Sequence, residues 1–219
     1  MKSKYELVLF DLDGTLTNSG RGITNSLKTT FNEMGKPVPG METLRRFIGP
    51  PMWDGFTSIC HMPPEEAATA VKYYRKTYNV RGIFENEVYE GIPELLTNLL
   101  SAGALLAVAT SKPVIQAHTV LDHYDLNKYF KYVSAEDDSE CGGGKERLIG
   151  RALREYGVPG ERAVMIGDTK FDAAGARKAG TCFIGALYGF GSKEEMVLEG
   201  AEKFVKSPAE LEKILIDNI

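Results

Sequence analysis

Apolar residues along the chain recur with two different spacings, and the change between them divides the sequence. The run 6–10 is apolar and rich in strand-forming residues, and Asp11 and Gly14 end it, so it predicts a buried strand. From about residue 23 to 78 the apolar positions follow helical spacing instead. The helices predicted in this stretch span 23–34, 41–47 and 65–78.

Beyond this helical stretch, apolar strands alternate with amphipathic helices to the end of the chain. Strands are predicted at 104–110, 132–135, 163–166 and 181–186, and helices at 92–101, 113–124, 145–156, 171–178 and 208–215. This alternation predicts an α/β fold, a doubly wound and mostly parallel sheet with helices on both faces. The helical stretch then predicts an insertion. We expect a core domain of 1–16 and 83–219 and an all-helical domain of 17–82.

Composition indicates a folded globular chain. Of 219 residues, 43% are hydrophobic and 26% are charged, and 26 basic against 30 acidic residues give a net charge of −4. The basic residues are scattered, with Arg45 and Arg46 as the only arginine pair, so nothing favours a nucleic acid partner. No apolar run approaches the roughly 20 residues of a membrane helix, so we expect no membrane partner either.

The cysteines and the N-terminus favour a cytoplasmic protein. Cys60, Cys141 and Cys182 are odd in number and far apart, which predicts reduced thiols and neither a disulfide framework nor a zinc site. The predicted first strand begins almost at Met1, without an apolar signal segment. The run Gly142-Gly143-Gly144 lacks the pattern of a phosphate-binding loop and predicts a flexible link.

Two carboxylates, Asp11 and Asp13, follow the first strand directly. Ligands bind at the carboxyl ends of the strands in an open parallel sheet, and residues two apart in extended chain share a face. Crowded carboxylates repel each other unless a cation neutralises them, and Mg²⁺ prefers hard oxygen ligands. The pair therefore predicts a Mg²⁺ site that accommodates phosphate oxygens. The alternative is an acidic turn or helix cap.

Three further segments place polar residues at strand ends or helix starts. Thr110 follows the second core strand, Lys145 opens a helix, and Asp168 and Asp172 follow the strand 163–166. Taken singly, each of these residues can be explained by a structural role, because hydroxyl and carboxylate groups often cap helices and most lysines lie on the surface. Their combination with the first carboxylate pair, each at a strand end or helix start, predicts one shared site.

These motifs together resemble the four signature motifs of the haloacid dehalogenase superfamily, over essentially the whole chain. The resemblance implies that Asp11 is the nucleophile that attacks phosphorus and that Asp13 protonates the leaving oxygen and then activates water. It implies that Thr110 and Lys145 hold the phosphoryl oxygens and balance their charge. The implied Mg²⁺ ligands are Asp11, the backbone carbonyl of Asp13, and Asp168, with Asp172 supporting the metal site.

The resemblance also narrows the branch of the superfamily. Its phosphatases and sugar-phosphate mutases carry an aspartate two positions after the nucleophile, as Asp13 does here, whereas dehalogenases are expected to lack it. The helical insertion resembles the small helical cap of phosphoglycolate phosphatase-like members. In its loop, Arg45 and Arg46 would pair with a substrate carboxylate or second phosphate, the alternative being a solvated helix end. Asn18 and Ser111 depart from the usual Asp and Asn, and Ser111 would also contact substrate.

The activity implied is Mg²⁺-dependent hydrolysis of a small phosphomonoester, phosphoglycolate-like or a nucleoside 5′-monophosphate, through an aspartyl phosphate. A sugar-phosphate mutase of the same fold is the nearest alternative. A receiver-like signalling module, which keeps its phosphoryl group, is less favoured because it would leave the helical insertion unexplained. The expected partner is a small-molecule phosphate ester, and the chain is expected to be a monomer or a homodimer.

Overall fold

The apolar run after residue 6 forms the strand at the centre of a six-stranded parallel sheet. In this computed structural model, which describes residues 2–137 and 144–217, all four residues of Leu7–Phe10 are buried. The strands of the sheet are β2 (Leu7–Phe10), β3 (Leu105–Pro113), β4 (Tyr132–Glu136), β5 (Ala163–Gly167), β6 (Cys182–Ala186) and β7 (Lys203–Val205). Their order in the sheet is β4-β3-β2-β5-β6-β7, so β2 lies between β3 and β5. The predicted α/β fold is confirmed.

Two compact units divide the chain, one formed by the residues up to Thr17 and from Val88 onward, the other by Asn18–Glu87. The first unit holds the sheet and a short antiparallel pair of strands, β1 (Lys2–Ser3) and β8 (Ile216–Asp217). Its α-helices are α5 (Ile92–Ser101), α6 (Val114–His123), α7 (Gly144–Tyr156), α8 (Lys170–Ala179), α9 (Lys193–Leu198) and α10 (Pro208–Leu215).

Helix α7 covers one face of the central strands. Its buried residues Leu148 and Ile149 belong to the same core cluster as Leu7 and Leu9 of β2 and Met165 of β5. Because side chains alternate across a strand, Leu7 and Leu9 share the face that α7 covers. This packing holds β2 and β5 against α7, and the two strands end at the same edge of the sheet.

The second unit is helical and packs around aromatic side chains. Phe56 is fully buried, with ring centroids 5.1 Å from Phe47 and 6.0 Å from Phe31. Its α-helices are α1 (Gly20–Glu33), α2 (Met41–Arg45), α3 (Met52–Asp54) and α4 (Pro64–Tyr78), joined by a π-helical turn (Gly55–Ile59) and followed by a 3₁₀ turn (Gly82–Phe84).

Several short elements differ from the sequence prediction. Helix α9, strand β7 and the helical turns at Met52–Ile59 were not predicted, because segments this short carry too little periodicity. Strand β3 runs to Pro113, so the helix predicted to begin there begins at Val114 instead. Gly142 and Gly143 of the predicted link, and Cys141, lie outside the described residues, while Gly144 begins α7. Among the described residues, every helix is too short or too polar to span a membrane.

Candidate active site

The site lies where β2 and β5 end side by side. The two strands pair in parallel with Phe10 opposite Ile166, and the Asp11 N–H donates to the Ile166 carbonyl at 2.9 Å. Asp11 directly follows Phe10, the last residue of β2, and Asp168 directly follows Gly167, the last residue of β5. Sheet register alone therefore brings carboxylates from distant parts of the sequence to one edge, as the parallel-sheet argument predicts.

Three buried carboxylates and one buried ammonium form the centre of the site. Asp11, Asp168 and Asp172 offer oxygens that all lie within 4.8 Å of one another. The Lys145 Nζ lies 2.8 Å from Asp11 Oδ1, 2.7 Å from Asp172 Oδ1 and 3.1 Å from the Ala109 carbonyl. If all four groups are ionised, two negative charges are left over, which one divalent cation would neutralise. The residues thus fit a hard divalent metal such as Mg²⁺.

Burial and mutual repulsion shift the ionisation of these groups. Burial raises the pKa of Asp11 from 3.8 to about 6, with repulsion from Asp172 adding to it and Lys145 opposing it. Burial also raises the pKa of Asp168 well above its ordinary value, helped by Asp172 and Asp11. Burial lowers the pKa of Lys145, but the two carboxylates it contacts outweigh that effect and raise it overall. Lys145 therefore carries its charge at any physiological pH.

Asp172 serves the helix and the lysine at once. Its Oδ2 accepts hydrogen bonds from the Thr169 backbone N–H at 3.0 Å and from the Thr169 hydroxyl at 2.7 Å, at the start of α8. Its Oδ1 faces Lys145. A Cβ at Gly175 would lie only 2.6 Å from the Lys145 Cβ, so the missing side chain lets α7 and α8 approach closely. Helix packing and capping together direct the ammonium into the site.

Asp168 is held by its own set of contacts. The Phe190 backbone N–H donates to its Oδ2 at 2.8 Å, and the Thr15 hydroxyl donates to its Oδ1 at 3.3 Å. Gly14 has a φ of 92°, and a Cβ there or at Gly189 would overlap the Asp168 side chain. These glycines allow two loops to close around one carboxylate, which the sequence motifs did not reveal.

Sequence reasoning also missed Lys112. Its Nζ donates to both carboxylate oxygens of Asp13, at 3.0 Å to Oδ1 and 2.8 Å to Oδ2. The Lys112 backbone N–H donates to the Thr110 hydroxyl at 3.3 Å. Lys112 lies just beyond the predicted strand end at 110, but that position does not indicate which carboxylate the lysine contacts.

The remaining predicted residues divide between the two units. Thr110 is buried and Ser111 half-buried at the end of β3, in the unit that holds the carboxylates. Arg45 and Arg46 belong to the helical unit, at the end of α2, where both are exposed. Within the first unit, the structure thus brings Asp11, Lys145, Asp168 and Asp172 together in one cluster and joins Asp13 to Lys112.

Comparison with known proteins agrees with this geometry. The model of a family described as haloacid dehalogenase-like hydrolase matches residues 8–186, which confirms the resemblance found in the sequence. The chain is 37% identical to a protein of Pseudomonas aeruginosa named 5′-nucleotidase, covering 97% of this chain and 96% of that protein. Other curated relatives are named phosphoglycolate phosphatase.

Two further relatives show how far the similarity extends. The crystal structure of a predicted phosphatase from Clostridium acetobutylicum superposes with a TM-score of 0.91 at 40% identity, covering 97% of this chain and 98% of that one. A Mycobacterium tuberculosis protein named tyrosine-protein kinase PtkA is 36% identical over 85% of this chain but only 63% of its own length. That relative therefore contains a substantial part with no counterpart in the alignment.

Proposed function

Since the chain belongs to the haloacid dehalogenase-like hydrolases, we propose that it hydrolyses a small phosphomonoester through a transient aspartyl phosphate on Asp11. The observation that carries this proposal is the contact of Asp11 with Lys145, both buried, beside two further carboxylates at a sheet edge. Phosphoryl transfer needs positioning and charge neutralisation more than covalent help from the protein, and this arrangement provides both.

Asp11 and Asp168 would hold the metal with their carboxylate oxygens, together with the backbone carbonyl of Asp13. Bound Mg²⁺ would supply positive charge to the phosphoryl oxygens and reduce their repulsion toward the attacking carboxylate. Asp172 supports the site indirectly, because one of its oxygens faces Lys145 and the other accepts the hydrogen bonds of Thr169.

The chain's own groups divide the reaction into two steps. An Asp11 oxygen forms a bond to phosphorus while the bond to the leaving oxygen breaks, and Asp13 gives its proton to that oxygen. In the second step Asp13 accepts a proton from water, which attacks phosphorus and frees Asp11. Lys145 would offset negative charge throughout, and the Thr110 hydroxyl would donate to a phosphoryl oxygen.

Nucleoside 5′-monophosphates are the first substrates to test. The relative named 5′-nucleotidase is 37% identical to this chain and matches almost its full length. Phosphoglycolate is the second candidate, because other relatives bear that name. We further propose that the helical unit acts as a cap that selects among these substrates.

Phosphate release from a panel of substrates tests the proposal. The panel comprises nucleoside 5′-monophosphates, phosphoglycolate, a sugar phosphate and an aryl phosphate, each with Mg²⁺ and with a chelator. We expect repeated turnover that needs Mg²⁺ and is lost in Asp11→Asn but kept in Asp122→Asn, an exposed aspartate of α6. Phosphate retained on the protein, or a sugar phosphate isomerised without release, would favour the signalling or the mutase alternative.

A further inference from the structure

A second, largely buried ion pair in the same unit joins Asp13 of the first motif to Lys112, a residue to which the sequence analysis assigned no role. Lys112 and Asp13 pair with side chains only 3% and 13% exposed. The ammonium donates to both carboxylate oxygens, at 3.0 and 2.8 Å, so it fixes the rotation of the carboxylate as well as its position. A carboxylate held at both oxygens has little freedom to leave the orientation seen here.

The backbone of β3 explains how a lysine reaches this place. Thr110 pairs with Ala135 of β4 and Pro113 pairs with Glu136, so Ser111 and Lys112 are extra residues at a register shift. Such bulges redirect a side chain that regular alternation would send elsewhere. The Lys112 N–H also donates to the Thr110 hydroxyl, so one short segment connects the group proposed to hold phosphate with the group that orients Asp13.

We propose that Lys112 is a positioning residue that holds the Asp13 carboxyl group in the orientation for proton transfer to the leaving oxygen. This inference rests on the proposed function. As the Asp11–phosphorus bond forms and the bond to the leaving oxygen breaks, the Asp13 proton passes to that oxygen. Asp13 leaves the step as a carboxylate, the form that Lys112 pairs with. A general acid must lie within hydrogen-bond reach of its target, and small displacements are costly.

The competing explanation is that Lys112 contacts the phosphoryl group directly. Substrates with different leaving groups distinguish this explanation from the positioning of Asp13. A nucleoside 5′-monophosphate releases an alkoxide that needs a proton, whereas 2,4-dinitrophenyl phosphate releases a stable phenolate that does not. The ratio kcat/KM reports the steps through the first phosphorus–oxygen cleavage, so it measures leaving-group protonation without the later hydrolysis. Loss of a phosphoryl contact would lower kcat/KM for both substrates alike.

The experiment compares Lys112→Met with the parent on both substrates at saturating Mg²⁺. We expect kcat/KM to fall about 100-fold for the nucleotide and less than about 5-fold for the dinitrophenyl ester, since general acid catalysis contributes about 10²–10⁴. Lys128→Met, which removes an exposed lysine paired with Asp125, should change neither value. In case the methionine variant does not fold, Lys112→Gln keeps an uncharged N–H donor group and should lose less kcat/KM on the nucleotide.

A double variant tests whether the lysine acts through Asp13. Adding Lys112→Met to Asp13→Asn should lower nucleotide turnover by no more than about 2-fold, because the group being positioned is already gone. Equal losses on both substrates, or full losses that multiply in the double variant, would overturn the inference while leaving the phosphatase intact. A parent protein that cleaves neither substrate would instead refute the proposed function, and the inference with it.

Discussion

Replacing the proposed nucleophile should make the metal-free protein more stable while abolishing turnover. The pKa of Asp11 rises from 3.8 to about 6, chiefly because the carboxylate is buried. A carboxyl group whose pKa is raised by folding favours the folded state below pH 3.8, and that advantage is lost as the pH rises through about 6. At pH 8 the ionised carboxylate therefore lowers the free energy of unfolding relative to a neutral group.

The difference between 3.8 and about 6 corresponds to about 3 kcal/mol at pH 8. The neutral amide of Asp11→Asn has nearly the same shape and avoids this cost. For a chain of this size, that free energy corresponds to a rise in Tm of about 6–12 °C. The gain should shrink as the pH falls below 6 and vanish near pH 4, because the parent carboxyl group then becomes protonated.

Thermal unfolding in the presence of a chelator, followed by far-ultraviolet circular dichroism, measures this effect at a series of pH values. Tryptophan fluorescence is unsuitable, since the only tryptophan, Trp53, belongs to the helical unit. Asp122→Asn, at an exposed position, is the matched control and should leave Tm unchanged. Mg²⁺ should stabilise the parent more than Asp11→Asn. A metal-free Asp11→Asn protein that melts below the parent at pH 8 would refute the reasoning.

Two other predictions follow from the charged groups. Lys145→Met should abolish turnover and lower the metal-free free energy of unfolding by about 3–5 kcal/mol, because it leaves buried carboxylates without their cation. Lys128→Met, at an exposed ion pair, is the control and should leave the free energy of unfolding unchanged. Urea unfolding measures both variants. Replacing Arg45 and Arg46 by alanine should raise KM for phosphoglycolate more than for an aryl phosphate, because only phosphoglycolate carries a carboxylate for them to pair with. Lys76→Ala, at an exposed position, is the control. Equal changes in KM for both substrates would exclude an ion pair between these arginines and the substrate carboxylate.

The sequence predicted the features whose signals lie within a few consecutive residues. A run of consecutive apolar residues that ends before Asp11 predicts a buried strand. Asp168 follows the predicted strand at 163–166, which places this aspartate at the same edge of the sheet as Asp11. Parallel-sheet geometry brings both strand ends to the same edge of the sheet, whatever their separation in sequence, and the combined motifs predict that their carboxylates share one site. For this reason the fold class and the meeting of Asp11 with Asp168 could both be predicted from the order of residues alone.

What remained hidden depends on register and on packing between distant segments. Lys112 contacts Asp13 from a segment in which β3 shifts register against β4, and the spacing of apolar residues in the sequence does not predict such a bulge. The closeness of α7 to α8 depends on the missing side chain of Gly175, which looks like any other helical glycine in the sequence. Helix α9 is too short for its periodicity to separate it from a loop.

The central position of β2 has a consequence for how the chain is made. Leu7 pairs with Leu105 on one side and Ala163 on the other, so this strand must wait for partners about 100 and 155 residues later in the chain. At a synthesis rate of about 5–20 residues per second, the first partner is made about 5–20 s after this apolar strand and the second about 8–30 s after it. The helical unit, Asn18–Glu87, is fully synthesised before either partner strand. Asp11, the proposed nucleophile, is therefore made long before Asp168 and Asp172, and its site can form only after they have been made.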